Sequence, residues 1–298
     1  MSSRNKLTVF TPTYNRVHTL PRLYDSLCRQ TCRDFEWLVI DDGSTDGTQE
    51  LISGFIAEGN ISVGYIYKEN GGLYTGYNTA YANIDTELNV CIDSDDFMPD
   101  NAVELILNTW KERGGKEYAG ITGLDFYAYT DKPIAGYFPD GLKEAFLLDL
   151  YVKNIHRGDS KQVMRTDLMK KVAPMKGFEG EKNFNPIYML LLACDELPML
   201  LLNENLCFVD YQPTDSMAKS IWKQYYDSPR SFAKQRLLEM HLKRSNIFNN
   251  LRVSIHYVSS CMIAKDKEWL KKTPKKLLAL LAFPAAYLLY RYILHKNS

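Results

Sequence analysis

The chain has 298 residues, of which 45% are hydrophobic and 24% are charged, so it can bury a full core as one large domain or as one domain with an appendage. Lys plus Arg and Asp plus Glu each number 36, which gives a formal net charge of +0 at pH 7. This balance excludes the broad basic field that drives nucleic-acid binding without sequence preference, and we expect no nucleic-acid partner.

The cysteines and the first residues indicate the compartment. The 6 cysteines are scattered and form no C-x-x-C pair, so neither a zinc site nor a disulfide framework is expected. Residues 1–6 are polar, and the apolar run after them is only as long as a strand, so no secretory signal is expected. Both features predict a cytoplasmic protein.

Strand and helix patterns alternate over the first 125 residues. The strand patterns are short, apolar and rich in β-branched and aromatic residues: LTVF (7–10), FEWLVI (35–40), VGYIY (63–67) and LNVCI (88–92). The helical patterns between and after them are Leu20 to Gln30, Thr48 to Ala57, Tyr74 to Ala82 and Ala102 to Lys111. This alternation predicts βαβ units, and therefore an α/β fold with a mostly parallel sheet and flanking helices on both faces.

Polar segments follow three of these strands. They are TPTYNR (11–16), DDGSTDGT (41–48) and DSDD (93–96). Each alone is compatible with ordinary turn and helix-capping chemistry. Because ligands collect at the carboxyl ends of the strands in such sheets, three polar segments at one edge predict a binding site.

The DSDD segment brings three carboxylates together, those of Asp93, Asp95 and Asp96. Carboxylates this close repel one another unless a cation neutralises them or some stay protonated or solvated. Mg²⁺ or Mn²⁺ suits such oxygen ligands, and Mg²⁺ is typically held by one or two carboxylates together with substrate phosphates. The segment therefore predicts a metal that carries a diphosphate, with an Asp-rich turn before the helix at Ala102 as the structural alternative.

The segments TPTYNR, VIDDGSTDGT, NGG and IDSDD, in this order and spacing, resemble those of family 2 glycosyltransferases with the GT-A fold. The resemblance is strong over residues 5–125. Similarity to bacterial members extends through GDSKQVMRT (158–166), FEGEK (178–182) and LNENLCFVDYQPTDSM (202–217). It implies a Rossmann-like GT-A fold, a nucleotide-sugar donor, of which a UDP-sugar is favoured, and Mg²⁺ or Mn²⁺ as cofactor.

The resemblance also assigns residues to the site. Those expected to contact the donor are Thr11, Pro12, Tyr14, Arg16, Asp41, Asp42, Lys68, Gly72, Asn78, Asp93 and Ser94. Asp41 is expected to accept a hydrogen bond from the base. Asp93 and Asp95 are expected to hold the metal, and Asp96 is expected to position the ligand or the sugar during catalysis.

Basic residues and glycines are candidates to meet the diphosphate. Lys68 lies just before the NGG segment (70–72), whose glycines permit close backbone approach to a ribose or phosphate. Lys161 and Arg165 of KQVMR are further candidates to hold phosphate.

The chain departs from the family at the expected catalytic base. Many relatives have a glutamate in a K-F-x-P-E arrangement after E-G-E-K, but this chain reads EKNFNPIY and has Ile187 at that position. Glu181 lies in the part that still matches, and it is our candidate for the base that takes the proton of the acceptor hydroxyl. Glu179 is the nearest alternative, followed by Asp195 and Glu196, and a solvated loop glutamate with no catalytic role is equally compatible with the pattern.

The last third of the chain has a different character. We expect a GT-A domain at 1–220, with a nucleotide-binding half at 1–125 and an acceptor half at 126–220. A helical extension at 221–274 and an apolar tail at 275–298 are expected to follow.

The tail raises the question of a membrane. Leu277 to Leu294 is apolar apart from tyrosines and Arg291, four lysines precede it, and Pro284 interrupts it. At about 1.5 Å per residue the run is near the lower limit for a span, so a buried helix, a span and an interfacial anchor all remain open. The flanking lysines and tyrosines favour peripheral association with the inner face of the cell membrane.

The predicted function is inverting, metal-dependent transfer of a sugar to a saccharide or lipid-linked saccharide acceptor in surface polysaccharide synthesis. A non-catalytic nucleotide-sugar-binding protein is one alternative, because the usual base is absent. A nucleotidyltransferase is another, although TPTYNRVHT is not the Gly-rich basic loop expected after its first strand.

Overall fold

The computed structural model describes residues 6–156, 158–210 and 221–297. The strands in this part of the chain are β1 (Leu7–Thr13), β2 (Phe35–Asp41), β3 (Val63–Tyr67), β4 (Leu88–Cys91), β5 (Gly120–Tyr127), β6 (Glu144–Ala145), β7 (Ser160–Arg165) and β8 (Met199–Val209). They form one sheet in the order β3-β2-β1-β4-β7-β5-β8-β6.

Helices flank the sheet and then continue beyond it. In the first half they are α1 (Leu20–Cys28), α2 (Thr48–Glu58), α3 (Leu73–Asn83), α4 (Ala102–Arg113), α5 (Leu147–Val152), α6 (Thr166–Val172) and α7 (Ile187–Ala193). Those that follow the last strand are α8 (Ile221–Asp227), α9 (Pro229–His241), α10 (Ile247–Ile263), α11 (Trp269–Lys272) and α12 (Lys276–Lys296).

The predicted α/β fold with a mostly parallel sheet is confirmed. β1, β2, β3 and β4 are parallel to one another, and β5 is parallel to β8. β7 lies between β4 and β5 and is antiparallel to both, and β6 is antiparallel to β8. Thr13 pairs with Asp41, and Asp41 with Tyr67, so the carboxyl ends of the first three strands lie at one edge.

Apolar side chains fill both faces of the sheet. One face packs against α1, α2 and α4 and buries Trp37 completely. The other packs against α3, α5, α6 and α7, with Phe10 almost fully buried. The sheet is therefore the middle layer of a three-layer sandwich.

The helices after β8 form their own apolar clusters. α9, α10 and α12 share one cluster that contains Met240, Tyr257 and Ala286. α8, α9 and α12 share a second around Tyr225 and Ile293. The expected interruption at Pro284 does not occur, because α12 continues through that residue on its exposed side.

Candidate active site

Hydrogen bonds join the loops after β1 and β2. The Asn15 amide N–H donates to Ser44 Oγ at 2.9 Å, and the Thr45 N–H donates to Asn15 Oδ1 at 2.8 Å. The Val17 N–H donates to Asp46 Oδ2 at 2.9 Å. Two of the polar segments that the sequence places at strand ends therefore form one connected rim.

Asp41 ends β2 with its carboxylate buried and oriented. One oxygen accepts from the Ser44 N–H at 2.8 Å, and the other accepts from the Tyr65 hydroxyl at 2.7 Å. Each carboxylate oxygen has a second lone pair, so the group can still accept a bond from a ligand. Its expected contact with the nucleoside base remains a prediction.

Asp42 holds the NGG segment. Its oxygens accept from the Gly71 N–H at 2.9 Å and the Gly72 N–H at 2.8 Å, and its carbonyl accepts from Asn70 Nδ2 at 2.9 Å. The Lys68 ammonium also contacts this carboxylate. The charge of Lys68 is thus paired with Asp42, and its expected contact with a diphosphate remains a prediction.

Gly72 lies where the NGG segment meets the FEGEK segment. Its φ of +92° favours glycine, and a Cβ there would lie 2.2 Å from the Lys182 carbonyl oxygen. Lys182 Nζ donates to Asn70 Oδ1 at 2.6 Å. No residue larger than glycine fits, and this close packing brings the segment with the candidate bases to the same edge.

Several expected donor residues have side chains that make contacts inside the protein. Thr11 Oγ1 accepts from Trp37 Nε1 at 3.0 Å. Asn78 exchanges two hydrogen bonds with the Met175 backbone, at 2.9 and 2.7 Å. Pro12 packs against Gly76 of α3. In contrast, Tyr14 is 50% exposed.

The DSDD turn follows β4 and separates its carboxylates. Asp93 is exposed and Asp95 half-buried, whereas Ser94 and Asp96 are buried. The Asp96 N–H donates to the Asp93 carbonyl at 3.0 Å and closes the turn. Asp96 Oδ1 accepts from the Asp210 N–H at 3.3 Å, so this carboxylate anchors the turn to the end of β8.

Lys161 is the cation beneath this turn. Its Nζ lies 3.7 Å from Asp125 Oδ2, and the two side chains are only 12% and 3% exposed. Burial raises the pKa of Asp96 to about 8, with Asp93 and Asp95 adding to the rise and Lys161 opposing it. Burial likewise raises the pKa of Asp125 to about 6. The sequence named Lys161 only as a phosphate contact, and its pairing with Asp125 was missed.

Arg22 of α1 positions the turn from the other side. Its guanidinium donates to the Asp95 carbonyl, to Asp210 Oδ2 at 2.5 Å and to the Tyr129 hydroxyl at 2.9 Å. Its Cζ lies 4.9 Å from the centre of the Phe97 ring. A single arginine in a helix gives no sequence signal for such a role.

The carboxylates of the DSDD turn could hold a metal ion whose remaining ligands come from the substrate. Across residues 6–156, 158–210 and 221–297, no group of three or more His, Cys, Asp or Glu side chains forms a metal site. Asp93 and Asp95 nevertheless offer two carboxylates, and that of Asp95 has no hydrogen-bond or ion-pair partner among the described residues. Two carboxylates plus substrate phosphates are a common environment for Mg²⁺.

Glu181 has contacts unlike those expected of a general base. It is 5% exposed, and Oε1 accepts from the Arg230 N–H at 3.1 Å and Nε at 2.8 Å. Oε2 accepts from the Ser231 N–H at 2.8 Å. This carboxylate caps the first turn of α9, where the helix dipole also favours a negative charge. These contacts favour a structural role.

The other candidate bases lie in different surroundings. Glu179 is exposed, and its carboxylate has no partner in the described part of the chain. Asp195 and Glu196 precede β8, whose first residue pairs with the first residue of β5, so they lie at the opposite edge of the sheet. Arg165 is also at that edge, bonded to Asp167 and to the Tyr118 carbonyl, and cannot hold phosphate at the DSDD turn.

The sequence is similar to those of known glycosyltransferases. The glycosyl transferase family 2 model matches residues 8–144. Glycosyltransferase GlyA of Streptococcus pneumoniae is 31% identical over 134 residues, which are 45% of this chain and 18% of that protein. Glycosyltransferase GlyG of the same species is 27% identical over 217 residues, which are 67% of this chain and 69% of that protein. The chain spans only 17% to 18% of the first three curated relatives it matches.

Solved structures share the fold at low identity. S. aureus TarS 1-349 in complex with UDP-GlcNAc superposes with a TM-score of 0.64 at 15% identity, covering 97% of this chain and 90% of that one. The mannosyltransferase PcManGT of Pyrobaculum calidifontis, in complex with GDP-Man and Mn²⁺, superposes with a TM-score of 0.59 at 17% identity. The match covers 98% of this chain and 83% of that one. The chain therefore has the fold of GT-A glycosyltransferases. The chain is similar to glycosyl transferase family 2 over residues 8–144.

Proposed function

We propose that the chain transfers a sugar from a nucleoside diphosphate donor, with a UDP-sugar favoured, to a saccharide or lipid-linked saccharide in surface polysaccharide synthesis. One observation carries the proposal. The carboxyl ends of β1, β2 and β4 meet at one edge, where the Asp95 carboxylate is unpaired among the described residues. The complex of TarS with UDP-GlcNAc supports a donor of this class.

Asp41 and Tyr14 are the proposed contacts to the nucleoside. Tyr65 and the Ser44 backbone hold the Asp41 carboxylate in one orientation, which lowers the entropy cost of accepting a bond from the base. Tyr14 offers an exposed aromatic ring on the connected rim. Asp42 and Lys68 act indirectly, since they hold the NGG segment in place.

Asp93 and Asp95 are the proposed ligands of Mg²⁺ or Mn²⁺. When bound, the metal supplies positive charge where the departing nucleoside diphosphate gains negative charge. The complex of PcManGT with GDP-Man and Mn²⁺ supports a divalent ion in this fold. Arg22 fixes the backbone of Asp95, and Lys161 holds the buried side of the turn.

Transfer with inversion needs a base on the acceptor side. The acceptor oxygen forms a bond to the anomeric carbon, the bond from that carbon to the diphosphate oxygen breaks, and the hydroxyl proton goes to a carboxylate. Glu181 was the candidate from the sequence, but its carboxylate is occupied by the cap of α9. Glu179 is our first choice, because its exposed carboxylate lies in the same segment and can accept a proton.

One observation favours a second function, which is binding of a nucleotide sugar without turnover. Ile187 occupies the position of the glutamate that relatives carry, and no carboxylate of this segment contacts the DSDD turn among the described contacts. A nucleotide-sugar-binding protein without turnover fits that arrangement. The enzyme and the binder differ in one product, which is free nucleoside diphosphate.

A thermal-shift screen of nucleotide sugars with and without Mn²⁺ tests the donor site. We expect one donor to raise the unfolding temperature only when Mn²⁺ is present, because a ligand that binds the folded state stabilises it by mass action. No shift with any UDP- or GDP-sugar would contradict the proposal. Release of pyrophosphate instead of nucleoside diphosphate would indicate a nucleotidyltransferase.

A further inference from the structure

The carboxyl-terminal helix α12 has two different apolar faces. Its inner face is made of mostly small, buried residues: Ala279, Ala282, Ala286 and Ile293. Its outer face has large exposed side chains, among them Leu277 at 71%, Leu281 at 65% and Leu288 at 70% exposure. Phe283, Tyr287 and Tyr292 are each 43% exposed. Water is a poor environment for this outer face, and a contiguous apolar surface of this kind marks an interaction site.

The inner face of α12 packs against the other helices along most of its length. Ala279 and Ala286 share a buried cluster with Val253 and Tyr257 of α10, and Ile293 shares another with Tyr225 of α8. From residue 279 to 293 this contact extends about 21 Å along the helix. A helix that crossed a bilayer would leave these contacts and expose the cluster around Tyr257.

The charges around α12 are positive. The helix contains Lys276, Arg291 and Lys296 and no Asp or Glu. In the part of the chain that the structure describes, Lys275 and Lys276 have no carboxylate partner, whereas Lys271 and Lys272 pair with Glu268 and Asp266. Unpaired lysines beside exposed leucines are complementary to a surface that is both apolar and anionic.

We propose that α12 lies flat on an anionic lipid bilayer, with its outer face at the boundary between headgroups and acyl chains and its inner face still packed on α10. The helix has 21 residues and is long and apolar enough that its composition alone would also allow a span. The flat arrangement is favoured because it keeps the packing of α12 on α10, which a span would break.

The membrane surface and the candidate active site lie on connected elements. The carboxyl end of α12 packs through Ile293 on Phe232 near the start of α9. The residue before α9, Ser228, accepts a hydrogen bond from the Asn183 N–H at 3.1 Å. Lys182, the residue before Asn183, packs against Gly72 at the carboxyl edge of the sheet. If the proposed transfer is correct, this connection links the membrane surface to the edge of the sheet where the donor binds.

Sedimentation with sucrose-loaded vesicles tests the surface, using the full chain without detergent. We expect partitioning onto phosphatidylglycerol vesicles to exceed that onto phosphatidylcholine vesicles by about tenfold. The double variant Leu281→Ser/Leu288→Ser should lower the partitioning about tenfold, and Lys275→Glu/Lys276→Glu should lower it on phosphatidylglycerol alone. The matched control Ile56→Ser, which changes a 46% exposed side chain on α2, should bind like the wild type.

Three results would overturn the proposal. They are failure of the wild type to bind phosphatidylglycerol vesicles, unchanged binding of the double leucine variant, and resistance of bound protein to alkaline carbonate, which indicates a span. Circular dichroism and thermal unfolding verify that each variant is folded. Donor turnover measured without vesicles separates the two proposals, because its absence contradicts only the transfer reaction and lost vesicle binding contradicts only the surface.

Discussion

Lys161 and Asp125 form a buried ion pair beneath the DSDD turn, with 3.7 Å between Nζ and Oδ2. Burial opposes the charge of the ammonium, but Asp125, Asp96 and Asp93 outweigh this effect and raise its pKa. Lys161 is therefore charged at neutral pH, and it supplies a positive charge to a turn rich in carboxylates.

Lys161→Met should destabilise the protein by about 3 to 5 kcal/mol at pH 7, the cost of leaving one buried charge without its partner. The loss should be smaller at pH 5, where Asp125, with its pKa of about 6, takes up a proton. Urea unfolding at both pH values measures this. Lys170→Met is the matched control, because Lys170 and Asp85 form an exposed pair whose side chains are 39% and 66% accessible. Equal losses for the two variants would contradict a special role for the buried pair.

Asp41→Ala should weaken donor binding by about 1 to 3 kcal/mol, the scale of one charge-assisted hydrogen bond. Tyr65→Phe should cause a smaller loss, because it removes only the hydroxyl that orients the carboxylate. Calorimetric titration with UDP- and GDP-sugars measures both. A loss that is equal for donors with different bases would argue against recognition of the base by Asp41.

Glu179→Gln and Glu181→Gln separate the two glutamates. If Glu179 is the base, its change to Gln should lower turnover by about 10² to 10⁴ with donor affinity little altered. Glu181→Gln weakens the cap of α9, so it should lower the free energy of unfolding by about 1 kcal/mol and affect turnover much less. Single-turnover rates and urea unfolding of both variants measure this. A severe loss of turnover in a stably folded Glu181→Gln would return the role of base to Glu181.

His256 should make stability depend on pH through the helical extension. Burial, together with the charges of Arg236 and Arg252, lowers its pKa to about 4. The stabilising contribution of the neutral imidazole is complete above the unfolded pKa of about 6.5 and is lost as pH falls towards 4. Urea unfolding at pH 7 and pH 5 should therefore show a greater decrease for the wild type than for His256→Gln. Identical decreases would show that another group titrates.

The sequence predicted the first half of the fold well because its signals are local. Each strand pattern and each helix pattern up to Lys111 corresponds to an element within a few residues of the expected bounds. The position of β7 could not be predicted, because its pairing joins Leu88 to Arg165, far apart in the chain. Pairing between distant strands depends on the packing of the whole sheet.

The location of the site could be predicted from the sequence, but the roles of its individual residues could not. The motifs located the correct edge, but a motif does not tell which partner a polar side chain has. Asn78 bonds to Met175, and Glu181 to Arg230 and Ser231, and these partners lie about 50 to 100 residues further along the chain. Arg22 was missed for the same reason, since its contacts to Asp95 and Asp210 exist only in the folded chain.

Metal-dependent release of nucleoside diphosphate is the most direct test of the proposed transferase. With the donor from the thermal-shift screen, a saccharide acceptor and Mn²⁺, the wild type should release nucleoside diphosphate and form one glycosylated product per molecule released. Asp95→Ala should stay folded, because it removes one member of a repulsive cluster, and should lose both turnover and Mn²⁺-dependent donor binding. Asp100→Ala, which changes an exposed carboxylate near the same turn, is the control and should keep both. Turnover in Asp95→Ala equal to that of the wild type would contradict the account.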